Sequence, residues 1–526
     1  MASPAARVHI VDRPVGLCTV SASTLIGLSP EPISVEVGCS RGPAFFQMVG
    51  LAETPVREAR VRVACALSRM GVLLEEWAIT INLAPADVRK RDAALDLSIA
   101  VGILGAIGEL PADRAASWLL LGELSLDGRL QPVRGVLPLL VGARDRGLRH
   151  AIVPRANAKE AGLVRGIDVL AADTLSSVVQ HLRGQVALEC VRATPFAPAP
   201  CDPGADLAEV RGQATARRAL EVAAAGGHNL LFVGPPGAGK TMLARRLPSI
   251  LPPLSYEEAL ETTAVHSAAG LVDSERGVID RRPFRAPHHS ATEQGIVGGG
   301  DNPRPGEVSL AHNGVLFLDE FPEFRRAVLE ALRQPLEDGW VTIARARARA
   351  TYPARPLVVA AMNPCPCGYF GHPQKRCLCS DKQRERYRSR LSGPLLDRLD
   401  VHVTLPPVRL DGLVGGERSE SSACTRERVV LARERQLARR ANGLSVARCN
   451  AEIRASELES VLRLESRAAA LLERAGMRLG LSARAFGKVA RVARTVADLA
   501  SSERIRAEHV AEAIQGRMLE GTAFPG

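Results

Sequence analysis

Aromatic residues make up only 3% of this 526-residue chain. Base stacking is therefore excluded as the main means of holding a nucleic acid, and any such partner has to be bound mostly through its charge. Runs of 18 or more apolar residues are absent, so no membrane-spanning helix and no membrane partner are expected. The opening residues carry Asp12, Arg13 and Pro14 where a secretory leader has an apolar core. The chain accordingly reads as cytoplasmic. Its eleven cysteines are odd in number and mostly scattered, which excludes a disulfide scaffold. Internal repeats are not evident. Positive charge is in excess, with 68 Lys and Arg against 57 Asp and Glu and a net charge of +11. An anionic partner such as DNA and an arginine-rich, lysine-poor coding bias account for that excess equally well.

The length predicts two or three domains. A proline-rich stretch at 193–204, without helical or strand periodicity, reads as a linker over 191–205 and separates an N-terminal domain of residues 1–190. Within that domain strand-like segments (33–37, 77–83, 151–153) alternate with helix-like ones (56–70, 97–105, 137–146), the pattern of an α/β fold. Residues 206–410 carry short, buried-type strands at 229–233, 315–318 and 357–361. Such strands belong to a parallel sheet covered on both faces, a three-layer αβα core. A Gly- and Ser-rich break at 411–424 precedes residues 425–526, whose helical patterns at 426–440, 465–475, 483–499 and 507–515 predict an all-helical lid.

The first strand of the core runs into Gly234-Pro235-Pro236-Gly237-Ala238-Gly239-Lys240-Thr241. In such a loop the glycines let backbone N–H groups approach the phosphates of ATP, while the following helix presents its positive end. Lys240 is placed to neutralise β/γ-phosphate charge, and the Thr241 hydroxyl to bind Mg2+. The alternative, a Gly/Pro turn that happens to precede a helix, fits poorly with a strand before the loop and a helix after it. Gly314-Val-Leu-Phe-Leu-Asp319-Glu320 delivers two carboxylates from the end of another strand. Asp319 is expected to hold Mg2+ through its water shell, and Glu320 to orient and deprotonate the attacking water. Asn363, in Ala361-Met-Asn-Pro364, either positions the same water with its amide or is only a turn residue before proline. Arg398, beside Asp397 and Asp400, is the candidate finger toward a neighbouring subunit's γ-phosphate.

Arg285-Ala-Pro-His-His289, Gly306-Glu-Val-Ser-Leu-Ala-His-Asn-Gly314, Asn363, Gly393-Pro-Leu-Leu-Asp-Arg-Leu-Asp400 and Ala493-Arg-Thr-Val-Ala-Asp-Leu499 occur in that order. Together they resemble the ComM/YifB family of magnesium-chelatase-like AAA+ ATPases, relatives of the MCM helicases, over nearly the whole chain. The resemblance implies a hexameric ring, makes Arg398 the arginine finger, and matches Arg484, in Leu481-Ser-Ala-Arg484, to the second sensor of the lid. The N-terminal domain resembles the proteolytic domain of Lon through Ile79-Thr-Ile-Asn-Leu-Ala-Pro-Ala-Asp87 and Gly122-Glu-Leu-Ser-Leu-Asp-Gly-Arg-Leu-Gln-Pro132. Lon pairs a serine nucleophile with a lysine base; the matching positions here hold Asp96 and Leu137, and nearby Ser98 has no lysine at the matching place. A non-proteolytic scaffold or binding module is expected.

Cys365-Pro-Cys367 and Cys377-Leu-Cys379 place four thiols within fifteen residues. A structural Zn2+ site, unligated thiols and a redox role are the three readings, with His372 as a weaker alternative ligand. In the stretch 340–350, Arg345, Arg347 and Arg349 alternate with alanine, and on one strand that spacing puts all three on one face. In the related ring helicases a hairpin at this place lines the pore, so these arginines are the first candidates for DNA-backbone contact, a solvated hairpin edge being the alternative. The glycine-rich loop 295–301, flanked by His288, His289 and Arg304, is the second.

An ATP-hydrolysing ring that translocates on or remodels DNA, with the branch-migration helicase role implied by the family resemblance, is the leading expectation. A chelatase-type motor driving metal insertion through a protein partner is the alternative, although the chain lacks the separate metal-binding domain this needs. A peptidase with its own unfoldase is the third reading, weakened by the missing serine and lysine.

Overall fold

The computed structural model describes residues 16–193, 195–199, 206–345, 348–408 and 419–517. Arg347, the side chain of Arg345, and the parts 200–205 and 411–418 of the two breaks lie outside the described residues. The chain divides into two compact units, one of Met1–Phe196, Ala259–Ile279 and Ala344–Ala350, the other of Ala197–Glu258, Asp280–Ile343 and Thr351–Gly526. No described helix is long and apolar enough to cross a membrane.

The first unit is built on an eight-stranded sheet in the order Glu189–Cys190, Asp168–Ala172, His150–Pro154, Leu119–Leu120, Gly16–Ile26, Ser29–Arg41, Trp77–Ala84, Phe45–Val49. Alternation sets its buried face: Val20 and Ala22, Ile33, Val35 and Val37, and Ile79, Ile81 and Leu83 all turn inward, as period-two side chains on a half-covered sheet must. Helix Asp96–Ala106 packs on that face and is buried nearly all round, Asp96 and Ser98 included. Residues 259–279 fall inside the 206–410 segment of the sequence but group with this unit. Leu260, Ala264 and Val278 pack against the apolar cluster around Leu137 and Leu140, and Ser267 donates to the buried carboxylate of Glu160. That carboxylate also accepts from the Leu137 N–H at 2.8 Å.

The second unit carries a five-stranded sheet in the order Phe284–Arg285, Val315–Leu318, Leu357–Met362, Leu230–Val233, Val401–Thr404, parallel throughout. Every residue of its three central strands is buried, which is why they read as unbroken apolar runs. Order matters more than composition here. The strand that leads to Asn363 lies between the strand that leads into the glycine loop and the strand that leads to Asp319, with Val233 opposite Met362 and Leu318 opposite Ala360.

The C-terminal helices Ser422–Ala441, Ser466–Leu479, Ala483–Leu499 and Ala507–Gln515 follow the sequence pattern. The first begins inside the 411–424 break, because the Ser421 hydroxyl accepts from the Cys424 N–H and caps the helix four residues early. These helices share one apolar cluster with the sheet, through Val429, Val489, Val496 and Val510. A buried ion pair at 2.7 Å between Lys488 on helix Ala483–Leu499 and Asp400 ties the same two layers. Burial alone would push the Asp400 carboxyl up, but Lys488 and His228 outweigh it and hold it well below the usual carboxylate range.

Candidate active site

Helix Lys240–Ile250 starts directly after Gly239. Gly237 and Gly239 take φ values of 79° and 88°, where a side chain would be strained, and the space beside each is open. The loop therefore exposes its N–H groups around the helix N-terminus, the geometry that receives an anion. The Lys240 ammonium donates to the carbonyls of Gly234 (2.6 Å) and Pro235 (3.0 Å) and to the side-chain Oδ1 of Asn363 (3.0 Å). Burial pulls its pKa down, opposed by Asp319 and Glu320. Lys240 is thus folded onto its own loop, with donors available to exchange for phosphate oxygens. Thr241 Oγ1 donates to Asp319 Oδ2 at 2.8 Å, so a hydroxyl and a carboxylate, both hard oxygen donors suited to Mg2+, meet beside the loop. Asp319 Oδ1 accepts the Glu320 N–H at 2.9 Å, and Glu320 sits at φ 51°, a sparsely populated conformation that turns its exposed carboxylate out of the strand.

The structure therefore brings Lys240, Thr241, Asp319, Glu320 and Asn363 to one edge of the sheet, and strand order explains Asn363: the middle strand delivers its amide to the lysine. It does not bring Arg398 or Arg484 there. Arg398 is buried, donating to the carbonyls of Arg333 (3.1 Å) and Pro394 (2.5 Å) and pairing with Glu337. Arg484 pairs with that same carboxylate. Among the described residues neither arginine is hydrogen-bonded to the loop, Asp319 or Glu320. The two arginines form a separate cluster around Glu337, a residue that no sequence signal singled out.

His289 was legible as the end of a family motif and as a neighbour of the glycine-rich loop, with no sign of its partner; its Nδ1 lies 2.8 Å from Glu320 Oε2. Its ring lies against that of His288, centroids 4.1 Å apart. The loop itself is more ordered than expected. Residues Glu293–Val297 form a helical turn, and Gly298–Gly299 pairs with Arg304–Pro305 in a small hairpin. Two sequence motifs are joined here by charge, Arg285 making two hydrogen bonds of 2.6 and 2.7 Å to Glu307.

The arginine alternation is corrected. Strands Trp340–Arg345 and Ala348–Pro353 pair with each other as a two-stranded sheet, so Arg345 closes one strand and exposed Arg349 lies on the next. Period-two facing holds along one strand only, and the chain reverses between them.

In the first unit, Asp96 is the residue expected at the position of the Lon serine. It is fully buried, bonded to Arg62 Nε at 2.6 Å and to the Leu124 N–H at 3.1 Å. Ser98 is fully buried and donates to the Leu120 carbonyl at 3.0 Å.

The four sulfurs of Cys365, Cys367, Cys377 and Cys379 lie within 4.8 Å of one another, with Cys365, Cys367 and Cys377 separated by 3.4–3.6 Å. A tetrahedron of thiolates about 2.3 Å from Zn2+ sets sulfurs about 3.8 Å apart, so the residues fit that ion. Burial pushes the Cys365 thiol up to about 12; at Cys367 the N–H groups of Tyr369 and Leu378 outweigh burial and hold the thiol near about 6. His372 is not drawn into the group, its Nδ1 accepting from the N–H groups of Gln374 and Lys375 at 3.1 Å.

Comparison with known proteins agrees along the chain. Residues 206–413 match the family profile "Magnesium chelatase, subunit ChlI", residues 35–157 match "Subunit ChlI of Mg-chelatase", and residues 419–517 match "Magnesium chelatase, subunit ChlI C-terminal". The uncharacterized protein YifB of Escherichia coli is 44% identical over 510 residues, 96% of this chain and 98% of its own. Competence protein ComM of Haemophilus influenzae is 43% identical over 511 residues, again 96% and 98% of the two chains. A local match of 122 residues, 23% of this chain and 21% of the other, is 30% identical to Lon protease 2 of Bacillus subtilis.

Proposed function

The chain belongs to the ComM/YifB family of magnesium-chelatase-like AAA+ ATPases, and from that premise we propose that it is an ATP-hydrolysing ring motor that binds and remodels DNA. The convergence of Lys240, Thr241, Asp319, Glu320 and Asn363 on one sheet edge carries the ATPase half of this reading. Lys240 and the backbone N–H groups of Gly237, Gly239, Lys240 and Thr241 hold the phosphates. Thr241 and Asp319 supply the oxygen ligands for Mg2+, which when bound neutralises developing phosphate charge. Glu320 takes the proton of the attacking water, and Asn363 fixes its position. Arg398 and Arg484, gathered on Glu337 away from the loop, serve the site of an adjacent copy, which makes the working unit a ring, a hexamer by family resemblance.

Net positive charge, the exposed Arg349 on its hairpin and the competence role named for the Haemophilus influenzae relative support DNA as the polymer moved, through backbone contacts and in branch migration. Residues 1–190 act as a non-proteolytic module, 206–410 as the motor core and 425–526 as its lid. The four-cysteine group holds one structural Zn2+. ATP hydrolysis measured at low salt with Mg2+, alone and with single-stranded, duplex and branched DNA, tests the DNA assignment, together with strand displacement. Absence of both stimulation and displacement ends it.

The family profiles, all three described as parts of a chelatase subunit, favour one other reading, a motor acting on a protein partner in metal insertion. Hydrolysis indifferent to DNA, with capture of a large chelatase subunit, would establish that instead.

A further inference from the structure

The cysteine loop leaves the sheet directly beside the nucleotide loop, and it is held there at both ends. Cys365 follows Asn363 by two residues. The turn after it is closed by the Gly368 N–H donating to the Cys365 carbonyl at 3.0 Å and the Phe370 N–H to the Cys365 sulfur at 3.3 Å. Gly368 is buried at φ 83°, so close to the nucleotide loop that a Cβ there would stand 2.6 Å from Pro236 Cδ and 3.8 Å from Asn363 Cγ. At the far end Cys379 runs into helix Asp381–Arg388, capped by Ser380. That helix turns back: its Tyr387 is buried, and Arg384 stacks over Phe370 with its guanidinium carbon 4.2 Å from the ring centroid. The four sulfurs converge midway, all unbridged.

We propose that one Zn2+ on Cys365, Cys367, Cys377 and Cys379 acts as a brace for the ATP site, holding the Gly368 turn against Pro236 and fixing Asn363 so that metal occupancy sets the affinity for ATP. This rests on the reading of the cysteines as a zinc site and of residues 234–241 as the ATP loop. The physical reason is loop closure. The only described contacts between sulfurs are those a metal would replace, and without the ion the chain from Cys365 to Cys379 regains the freedom of an open loop, which the Gly368–Pro236 contact and the Asn363 amide then have to oppose alone. Lys240 would lose the fixed acceptor at 3.0 Å that orients it. A misplacement of about 1 Å in such a constellation is enough for a change of up to ~100-fold.

The test uses the full chain. Zinc content is measured by metal analysis, and ATP affinity by steady-state KM and by binding of a fluorescent nucleotide. Both are read before and after removal of the metal with a chelator that prefers Zn2+ to Mg2+, then again after Zn2+ is restored. Gly368→Val is measured alongside, since it leaves all four cysteines in place while driving a side chain into Pro236. The expected result is one zinc per chain, a rise of roughly tenfold or more in KM on its removal with circular dichroism unchanged, recovery on adding Zn2+, and the same rise in Gly368→Val at full zinc content. Zinc present but KM unmoved by both its removal and Gly368→Val overturns the brace and leaves the zinc site standing. A chain that binds no zinc overturns both. Global loss of structure on chelation, with Gly368→Val still binding ATP normally, reduces the metal to a folding element and also overturns the brace.

Discussion

Replacing Glu320 by Gln isolates the chemical step from everything that surrounds it. The Glu320 side chain is 56% exposed, its described partner is His289 at 2.8 Å, and its backbone is held by Asp319 Oδ1 rather than by its own carboxylate. An amide of the same size keeps a hydrogen-bonding partner for His289 and is no more strained at φ 51° than the carboxylate was. Folding stability is therefore expected to change by less than about 0.5 kcal/mol, as for other exposed substitutions. The capacity to accept the proton of water is lost. A positioned general base contributes about 10²–10⁴ in rate, which corresponds to roughly 2.7–5.4 kcal/mol of barrier. Phosphate release should show kcat falling by that factor, while equilibrium binding of a fluorescent ATP analogue is unchanged. A loss of less than about tenfold in kcat, or an equal loss of nucleotide binding, would refute the assignment of Glu320 as the base.

Lys240→Ala removes the ammonium that faces the phosphates and is expected to abolish nucleotide binding, read by the same analogue, whereas Glu320→Gln retains it. Glu337→Gln takes away the charge shared by Arg398 and Arg484. If those arginines complete a neighbour's site, kcat should fall and hydrolysis should become steeply dependent on protein concentration, with little change in the melting temperature of the monomer. Lys488→Met leaves Asp400 buried without its cation and should cost about 3–5 kcal/mol, seen as a lowered midpoint in urea. Because the folded pKa of Asp400 is depressed, the stability it contributes is complete above its unfolded value of about 3.9 and is lost as pH falls through the folded one. The difference between wild type and Asp400→Asn should hold from neutral pH to about 4 and narrow below it. Arg349→Ala should weaken DNA binding without sequence preference and flatten its salt dependence, leaving DNA-free hydrolysis intact.

Local chemistry made much of this legible. The glycine loop, the apolar strands 315–318 and 357–361 and the four long C-terminal helices follow from periodicity and turn residues, and each stands within a few residues of its expected place. Asp319 and Glu320 stood out because they follow the glycine loop in the chain, since a carboxylate pair at a strand end is by itself usually only a solvated end. The arginine alternation misled for a physical reason: parity along a sequence says nothing about where the chain reverses, and Arg345 and Arg349 fall on different strands. Glu337, the partner of Arg398 and Arg484, carries no local signal, and the motif that holds His289 does not say that it meets Glu320, since each pairing is defined by a residue distant in sequence.

By itself the sequence determined the chemical inventory: a glycine loop ending in Lys240 and Thr241, a pair of carboxylates at a strand end, four clustered thiols, and an N-terminal α/β domain. Tertiary structure decided what faces what. Strand order placed Asn363 against Lys240, apolar packing grouped residues 259–279 with the first unit, and ion pairing gathered the two arginines on one carboxylate. Backbone hydrogen bonding and burial act over the whole sheet at once, so the order of strands cannot be read from any single segment, and it is this order that turns separate motifs into one site.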